Sequence, residues 1–329
     1  MIKLIPKLDD LELSAFLKDW IPDKIIDAHV HIHKNFGQSL FNPKAQNPGQ
    51  TFNWFDLGAH EFIFNKLGIS VSDYRAIVFG LPFSDYEEDN NNYLHDYFLD
   101  NPRIYSIPCL THKIALKQTS ELDCSFGLKT KIRTKTKNST NEIINNFSEE
   151  LWQKLNSAGS FLIIHLPKNI YDNADELIFL ANKYKKINFI VAHLGGFYIF
   201  DDRLSLALHK IKPCNNIFFD TAMVTDTKVI YSAVTIIGCH RVLFGSDAPF
   251  GYFKGGFYKS NGGVIFKPNC NWPWINHAFD LSSLPVINTM VCLQSIVAIK
   301  TALEESNQDT HDNRNLIFFD NSFKLIKER

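Results

Sequence analysis

The chain has almost no net charge: 34 Lys and Arg stand against 35 Asp and Glu, a formal balance of −1. That balance gives no global electrostatic footprint for nucleic acid or an anionic membrane, and neither is expected as a partner. No apolar run reaches the ~18 residues that a bilayer-spanning helix needs. The N-terminal MIKLIPKLDDLELSAF carries acidic residues where a secretory leader requires an apolar centre. The six cysteines, Cys109, Cys124, Cys214, Cys239, Cys270 and Cys292, never fall into CxxC spacing. This disfavours both a cysteine-bound zinc and a disulfide framework and leaves them as small buried hydrophobes. A reduced, cytoplasmic protein is the expectation. Also missing is a glycine-rich turn after the first apolar run, where an open dinucleotide-binding sheet would carry one.

What is present is a large apolar inventory, 45% of 329 residues, enough for a sizeable core. Short β-branched or aromatic runs at 24–31, 76–81, 104–110, 126–132, 161–166, 188–193, 217–221 and 241–246 make eight candidate strands. Helical stretches are expected at 91–100, 141–157, 173–184, 201–211, 227–237 and 285–304, with a last short helix at 322–328 after a polar loop. The helix between the third and fourth strands is poorly defined. Strand–helix alternation implies parallel strands, and continuous runs such as FLIIH and FIVAH suit strands buried on both faces. Eight repeats predict an α/β fold, a (β/α)8 TIM barrel of roughly 250 residues plus insertions.

The whole of 1–329 is expected to form one domain, with 1–23 as a helical extension. Two long loops, 34–70 after the first strand and 249–284 after the eighth, leave the strand ends where barrel active sites are built. Their aromatic residues, including Trp54 and Trp272, are expected to wall a substrate pocket.

The sharpest motif is Asp27-Ala28-His29-Val30-His31. Side chains two apart on a strand share a face, so regular alternation would aim Asp27, His29 and His31 into the barrel together. Ionisable groups on a buried face cost several kcal/mol unless satisfied, and a divalent metal satisfies two imidazoles economically. Three further strand tips end the same way. His165 follows FLII, His193 follows FIVA, and Asp247 follows VLFGS. One such residue has a bland structural explanation; four tips carrying ligand-type residues do not.

These residues, with Ala192-His193-Leu194-Gly195-Gly196 and Leu243-Phe244-Gly245-Ser246-Asp247-Ala248-Pro249, make the chain resemble the amidohydrolase superfamily. The likeness is to the amidohydrolase-related branch that includes aminocarboxymuconate-semialdehyde and resorcylate decarboxylases, and it covers nearly the whole chain. It implies one divalent metal on His29, His31, His165 and Asp247, with zinc first and manganese, cobalt or iron compatible. It gives His193 and Asp247 the catalytic work of proton transfer and substrate polarisation. It also implies a small carboxylic acid, amide or lactone as substrate, and is compatible with a homodimer.

Lys129 and Asp220 are further candidates for substrate binding. Lys129 lies in KTKIRTKTK, which resembles a solvated charge run, although some superfamily members carboxylate a strand-4 lysine to bridge two metals. His33 is expected at the surface or behind the ligands, and Arg241 and Asn321 are expected to be structural. Hydrolysis by metal-activated water is the primary expectation; non-oxidative decarboxylation uses the same residues. Some branch members resemble metal-free lactonases, and a non-catalytic binding protein is the remaining alternative.

Overall fold

The computed structural model describes residues 9–33, 68, 73–81, 87–110, 126–132, 141–260, 263–269 and 281–327. Trp54 and Trp272, expected as pocket walls, lie outside the described residues, as does the poorly defined third crossover.

Parallel strands form the frame. They are β1 (Lys24–His31), β2 (Asp73–Phe79), β3 (Ile104–Ser106), β4 (Cys109–Leu110), β5 (Gly127–Lys131), β6 (Phe161–His165), β7 (Asn188–Val191), β8 (Ile217–Asp220) and β9 (Val242–Leu243). One expected strand, 104–110, is divided into β3 and β4. Pro108 lacks an N–H, and the side chain of Asn91 takes both backbone groups of Cys109 at 2.9 and 3.1 Å. The order β1-β2-β3 and then β4 to β9 follows the chain. Backbone hydrogen bonds join the two sheets at both seams. Ile107 N–H reaches Val78 and Pro108 O accepts from Lys129 at one seam; at the other, β1 exchanges bonds with Phe244, Asp247 and Ala248. Among the described residues the α/β architecture and sequential parallel strand order expected of a (β/α)8 barrel are therefore met.

Crossover helices are α1 (Asp10–Leu17, preceding β1), α2 (Glu87–Phe98), α3 (Glu149–Ala158), α4 (Ile170–Lys183), α5 (Asp202–Ile211), α6 (Thr227–Ile236) and α7 (Val291–Glu305). Several boundaries differ from the periodicity, and side-chain caps explain them. α3 starts at Ser148, whose hydroxyl accepts from Leu151 N–H, while Glu176 ties down the N–H groups of Ile143 and Ile144 just upstream. α4 starts three residues early because Asn169 caps it. The polar stretch expected as a loop near the end contains α8 (His311–Asn315), capped by Thr310, and leads through a π-turn into α9 (Asn321–Lys327). The loop after β9 holds a hairpin, β10 (Gly255–Ser260) with β11 (Gly263–Pro268).

The strand side chains divide by face. Leu162, Ile164, Phe189 and Val191 pack outward against the helices. Ile26, Ala28, Ile77, Phe79, Phe161, Ile163, Ile190 and Leu243 fill the interior, plugged below by Phe319, Leu325 and Ile326. Arg241 and Asn321 are buried and bind backbone carbonyls on this closed side, the structural role expected of them.

Strand β1 breaks its own alternation. Asp27 pairs with Ala76 and Val30 with Val78, leaving Ala28 and His29 together opposite Ile77. This bulge shifts the phase by one residue, so His29 and His31 face inward after it while Asp27 faces outward before it. The expectation that all three point inward is corrected accordingly. Asp27 instead accepts the N–H groups of His29 (3.1 Å) and Ser246 (2.9 Å) and the Tyr74 hydroxyl (3.3 Å), stapling β1 to the segment that carries Asp247.

Burial raises the Asp27 carboxyl from 3.8 to about 7 against the pull of those donors. The native state therefore keeps this proton where the unfolded chain has released it. Its stabilising contribution is complete below pH 3.8 and declines as pH rises towards about 7. Asp27→Asn preserves the acceptor without titrating. Its unfolding free energy, measured by denaturant titration, is expected to fall less steeply than wild type across that window. Identical slopes would disprove the assignment.

Candidate metal centre

Five ionisable side chains meet at the C-terminal mouth of the barrel. His29 and His31 come from the end of β1, His165 from the last position of β6, His193 from the turn after β7 and Asp247 from the segment after β9. Each imidazole is anchored through Nδ1. His29 Nδ1 lies 2.9 Å from Asp220 Oδ2, His31 Nδ1 2.9 Å from Gly80 O, His193 Nδ1 2.9 Å from Ala222 O and His165 Nδ1 3.1 Å from Leu166 O. All four partners are acceptors, which assigns the proton to Nδ1 and leaves a lone pair on Nε2. Asp247 Oδ1 then lies 3.2 Å from His29 Nε2 and 3.4 Å from His31 Nε2. Ligand atoms of His29, His193 and Asp247 fall within 4.8 Å of one another. The His165 ring packs against the His193 ring at 5.1 Å.

Backbone strain supports this convergence. His193 and Asp247 have φ of 55° and 57°, a region that costs side-chain-bearing residues energy and recurs at functional sites. His193 opens four consecutive left-handed residues ending at Gly196. At Gly195 a Cβ would sit 2.4 Å from the Ile170 side chain, so glycine lets this turn pack against α4. Asp220 holds the turn from below, its Oδ1 accepting His193 N–H at 2.8 Å and Ala222 N–H at 3.2 Å.

The electrostatics suit a cation. Burial pushes His29, His31 and His165 below the ordinary imidazole range, so these rings are neutral donors of electron pairs. Burial alone would raise Asp247; positive charge on the side of His29 and His31 draws its carboxyl down, and with both rings neutral a bound cation would supply that charge. His29 Nε2 is buried without a hydrogen-bond partner, because its contact with Asp247 lacks hydrogen-bonding geometry. Neutral nitrogens, an ionised carboxylate and an orphaned nitrogen aimed at it are what a divalent ion would satisfy.

Asp220 and Lys129 differ from their sequence expectations. Asp220, expected to contact substrate, is fully buried and spends both oxygens orienting His29 and His193. Lys129 does not belong to a solvated run. It is 2% exposed, its Nζ has no hydrogen-bond partner among the described residues, and it lies 5.1 Å from the Phe79 ring. Burial lowers its ammonium to about 8. His33 is buried, which fits one of its two expected settings, behind the ligands. Tyr198 was not anticipated: it stands five residues after His193 with its ring 5.7 Å from that imidazole. Its sequence context, an aromatic just past a strand-tip histidine, was the available signal.

No family model matches the chain, and no curated protein matches it. Solved structures do. An amidohydrolase 2 from Bifidobacterium longum subsp. infantis is 12% identical at a TM-score of 0.57, over 92% of this chain and 98% of that one. The 5-carboxyvanillate decarboxylase from Sphingomonas paucimobilis is 10% identical at 0.57, over 93% and 99%. A zinc-bound amidohydrolase from Burkholderia multivorans is 11% identical at 0.55, over 92% and 99%. The chain thus shares the fold of these proteins along nearly its whole length, and they include both amidohydrolases and a decarboxylase.

Asp220→Asn would remove the charged acceptor behind His29 while keeping the side-chain shape. Losing such an orienting carboxylate typically lowers metal affinity about 10–100-fold. Competition titration with a zinc chelator is expected to show a drop of that order. An unchanged affinity would refute the orienting role.

Proposed function

We propose that the chain is a metal-dependent hydrolase of the amidohydrolase type, cleaving an amide, ester or lactone bond in a small carboxylated substrate. The observation that carries this reading is the convergence of imidazole Nε2 atoms on Asp247, each ring fixed from behind through Nδ1. His29, His31, His165 and Asp247 would hold one divalent ion, zinc being the first choice, with His193 in the same cluster. Such an ion lowers the pKa of water towards ~7 and polarises a carbonyl.

The protein's own groups supply the rest. Asp247, kept ionised, accepts the proton released by the attacking water. His193, with Nδ1 committed to Ala222 O, can exchange a proton only at Nε2, facing the other ligands. It can take up there the proton that Asp247 has accepted and deliver it to the leaving group. Lys129 is the buried cation beside the cluster and binds the substrate carboxylate.

Non-oxidative decarboxylation is a second reading, and the same ammonium favours it. A buried cation next to the metal would receive a carboxylate at the reacting end of the substrate. In that chemistry Asp247 would donate a proton to carbon, where in hydrolysis it accepts one from water.

Elemental analysis of the purified chain should find about one equivalent of metal, lost in His29→Ala/His31→Ala. A metal-free wild type, even after supplementation, would sink the proposal in favour of a metal-independent lactonase. On a turned-over substrate, Asp247→Asn is expected to lower kcat by at least about 100-fold. Release of carbon dioxide in place of a hydrolysis product would establish the decarboxylase.

A further inference from the structure

The loops after β7 and β8 and the hairpin β10–β11 line a cavity of about 450 Å³ beside the metal centre. Tyr198 is the shared wall. Its ring lies 5.7 Å from that of His193 on one side and stacks on Phe257 at 4.7 Å and 12° on the other. Both Tyr198 and Phe257 line the cavity. Phe257 is backed by Phe266 of β11 at 5.0 Å, and β10 and β11 pair along their full lengths, so this wall is built by the hairpin. A volume of this size suits a small molecule, and its aromatic walls suit an apolar body.

The charges around the cavity do not cancel. Asp226, Lys228 and Lys259 all line it. Asp226 is already engaged: Oδ1 accepts Lys228 N–H at the start of α6, and Oδ2 accepts Phe200 N–H, both at 2.9 Å. Asp201, which feels the Lys259 charge, is held in a two-pronged pair by Arg203. Neither Lys228 nor Lys259 forms an ion pair among the described residues. Among the described residues the rim therefore carries two ammoniums against one carboxylate, whose oxygens are taken by backbone N–H groups; the net positive charge above apolar walls is complementary to an apolar ligand ending in an anion.

We propose that this cavity is a distal subsite of the active site, in which Lys228 and Lys259 bind an anionic group at the far end of the substrate while its apolar body lies against Tyr198 and Phe257. The assignment rests on the metal centre as the place of reaction, because Tyr198 touches a member of that centre and the cavity at once. Hydrolysis at the metal would thus favour substrates with an anion remote from the scissile bond.

Two measurements test the subsite. The first is a fluorescence titration with anilinonaphthalenesulfonate, an anionic dye, and with phenylnaphthylamine, its neutral counterpart. Both lysines are exposed, so Lys228→Ala/Lys259→Ala is expected to fold as the wild type does, checked by its thermal midpoint. The double variant should bind the anionic dye about tenfold more weakly and the neutral dye within about twofold of wild type. Phe257→Ala should weaken both dyes, locating them in this cavity. An anionic dye bound equally by wild type and double variant overturns the proposal.

The second compares nitrophenyl hemisuccinate with nitrophenyl butyrate as ester substrates. The double variant should raise KM for the hemisuccinate about tenfold with little change in kcat, and leave KM for the butyrate near wild type. Weakened dye binding without that KM difference would make the cavity a separate anion site and overturn its assignment to the substrate. A chain that holds no metal and cleaves neither ester refutes the metal-dependent reaction, while the dye titration still decides whether the lysines recognise anions.

Discussion

The carboxylate of Asp220 is the interaction on which the rest of the site depends. It is buried at the end of β8 and accepts from three donors: the His29 ring, His193 N–H and Ala222 N–H. Burial drives its pKa up, while these donors and the Lys129 ammonium pull the other way, towards the ionised form. In return it fixes the His29 tautomer and holds the strained turn that presents His193. Through Ala222 it also sets the carbonyl to which His193 is tied. Strands β1, β7 and β8 are thereby locked at the same height by one side chain, and neutralising it would loosen two members of the cluster together.

This arrangement is built on a rigid, apolar support. The barrel interior beneath the histidines is filled by Ile, Leu and Phe side chains and closed below by the C-terminal helix. Among the described residues this apolar packing shields the centre on that side, so electrostatic effects there are stronger than in solvent. The polar groups gather where strands end and backbone leaves regular geometry: the bulge at Ala28 and His29, the left-handed turn at His193, and the positive φ of Asp247. Gly245 contributes by omission, since a Cβ there would lie 2.9 Å from His29 Cβ.

Charge in the centre is arranged for work as much as for stability. Asp220 and Asp247 bring two carboxyl groups, burial favours the neutral form of His29, His31 and His165, and Lys129 adds an ammonium without a hydrogen-bonding partner among the described residues. A buried lysine left in this condition costs stability that hydrophobic packing of similar volume would not. The substrate carboxylate proposed for it, or modification of the amine, would offset that cost.

The sequence by itself determined the strand–helix alternation, the apolar strands and the identity of the strand-tip residues. These are local properties: period-two burial, β-branched runs, and ionisable residues where an apolar run stops. His29, His31, His165, His193 and Asp247 could all be named from that logic, and the structure brings them to one mouth. Tertiary structure decided everything that depends on a neighbour. Asp27 faces away from the histidines because pairing with β2 inserts a bulge that no pattern within β1 reveals. Lys129 is buried because β4 and β6 flank it on either side, although its own segment looks like a solvated charge run. Asp220 orients histidines instead of lining a pocket because β1 and the β7 turn bring donors to both its oxygens. In each case the side chain's identity is written in the chain, while its face, partners and charge state follow from which strand folds beside it.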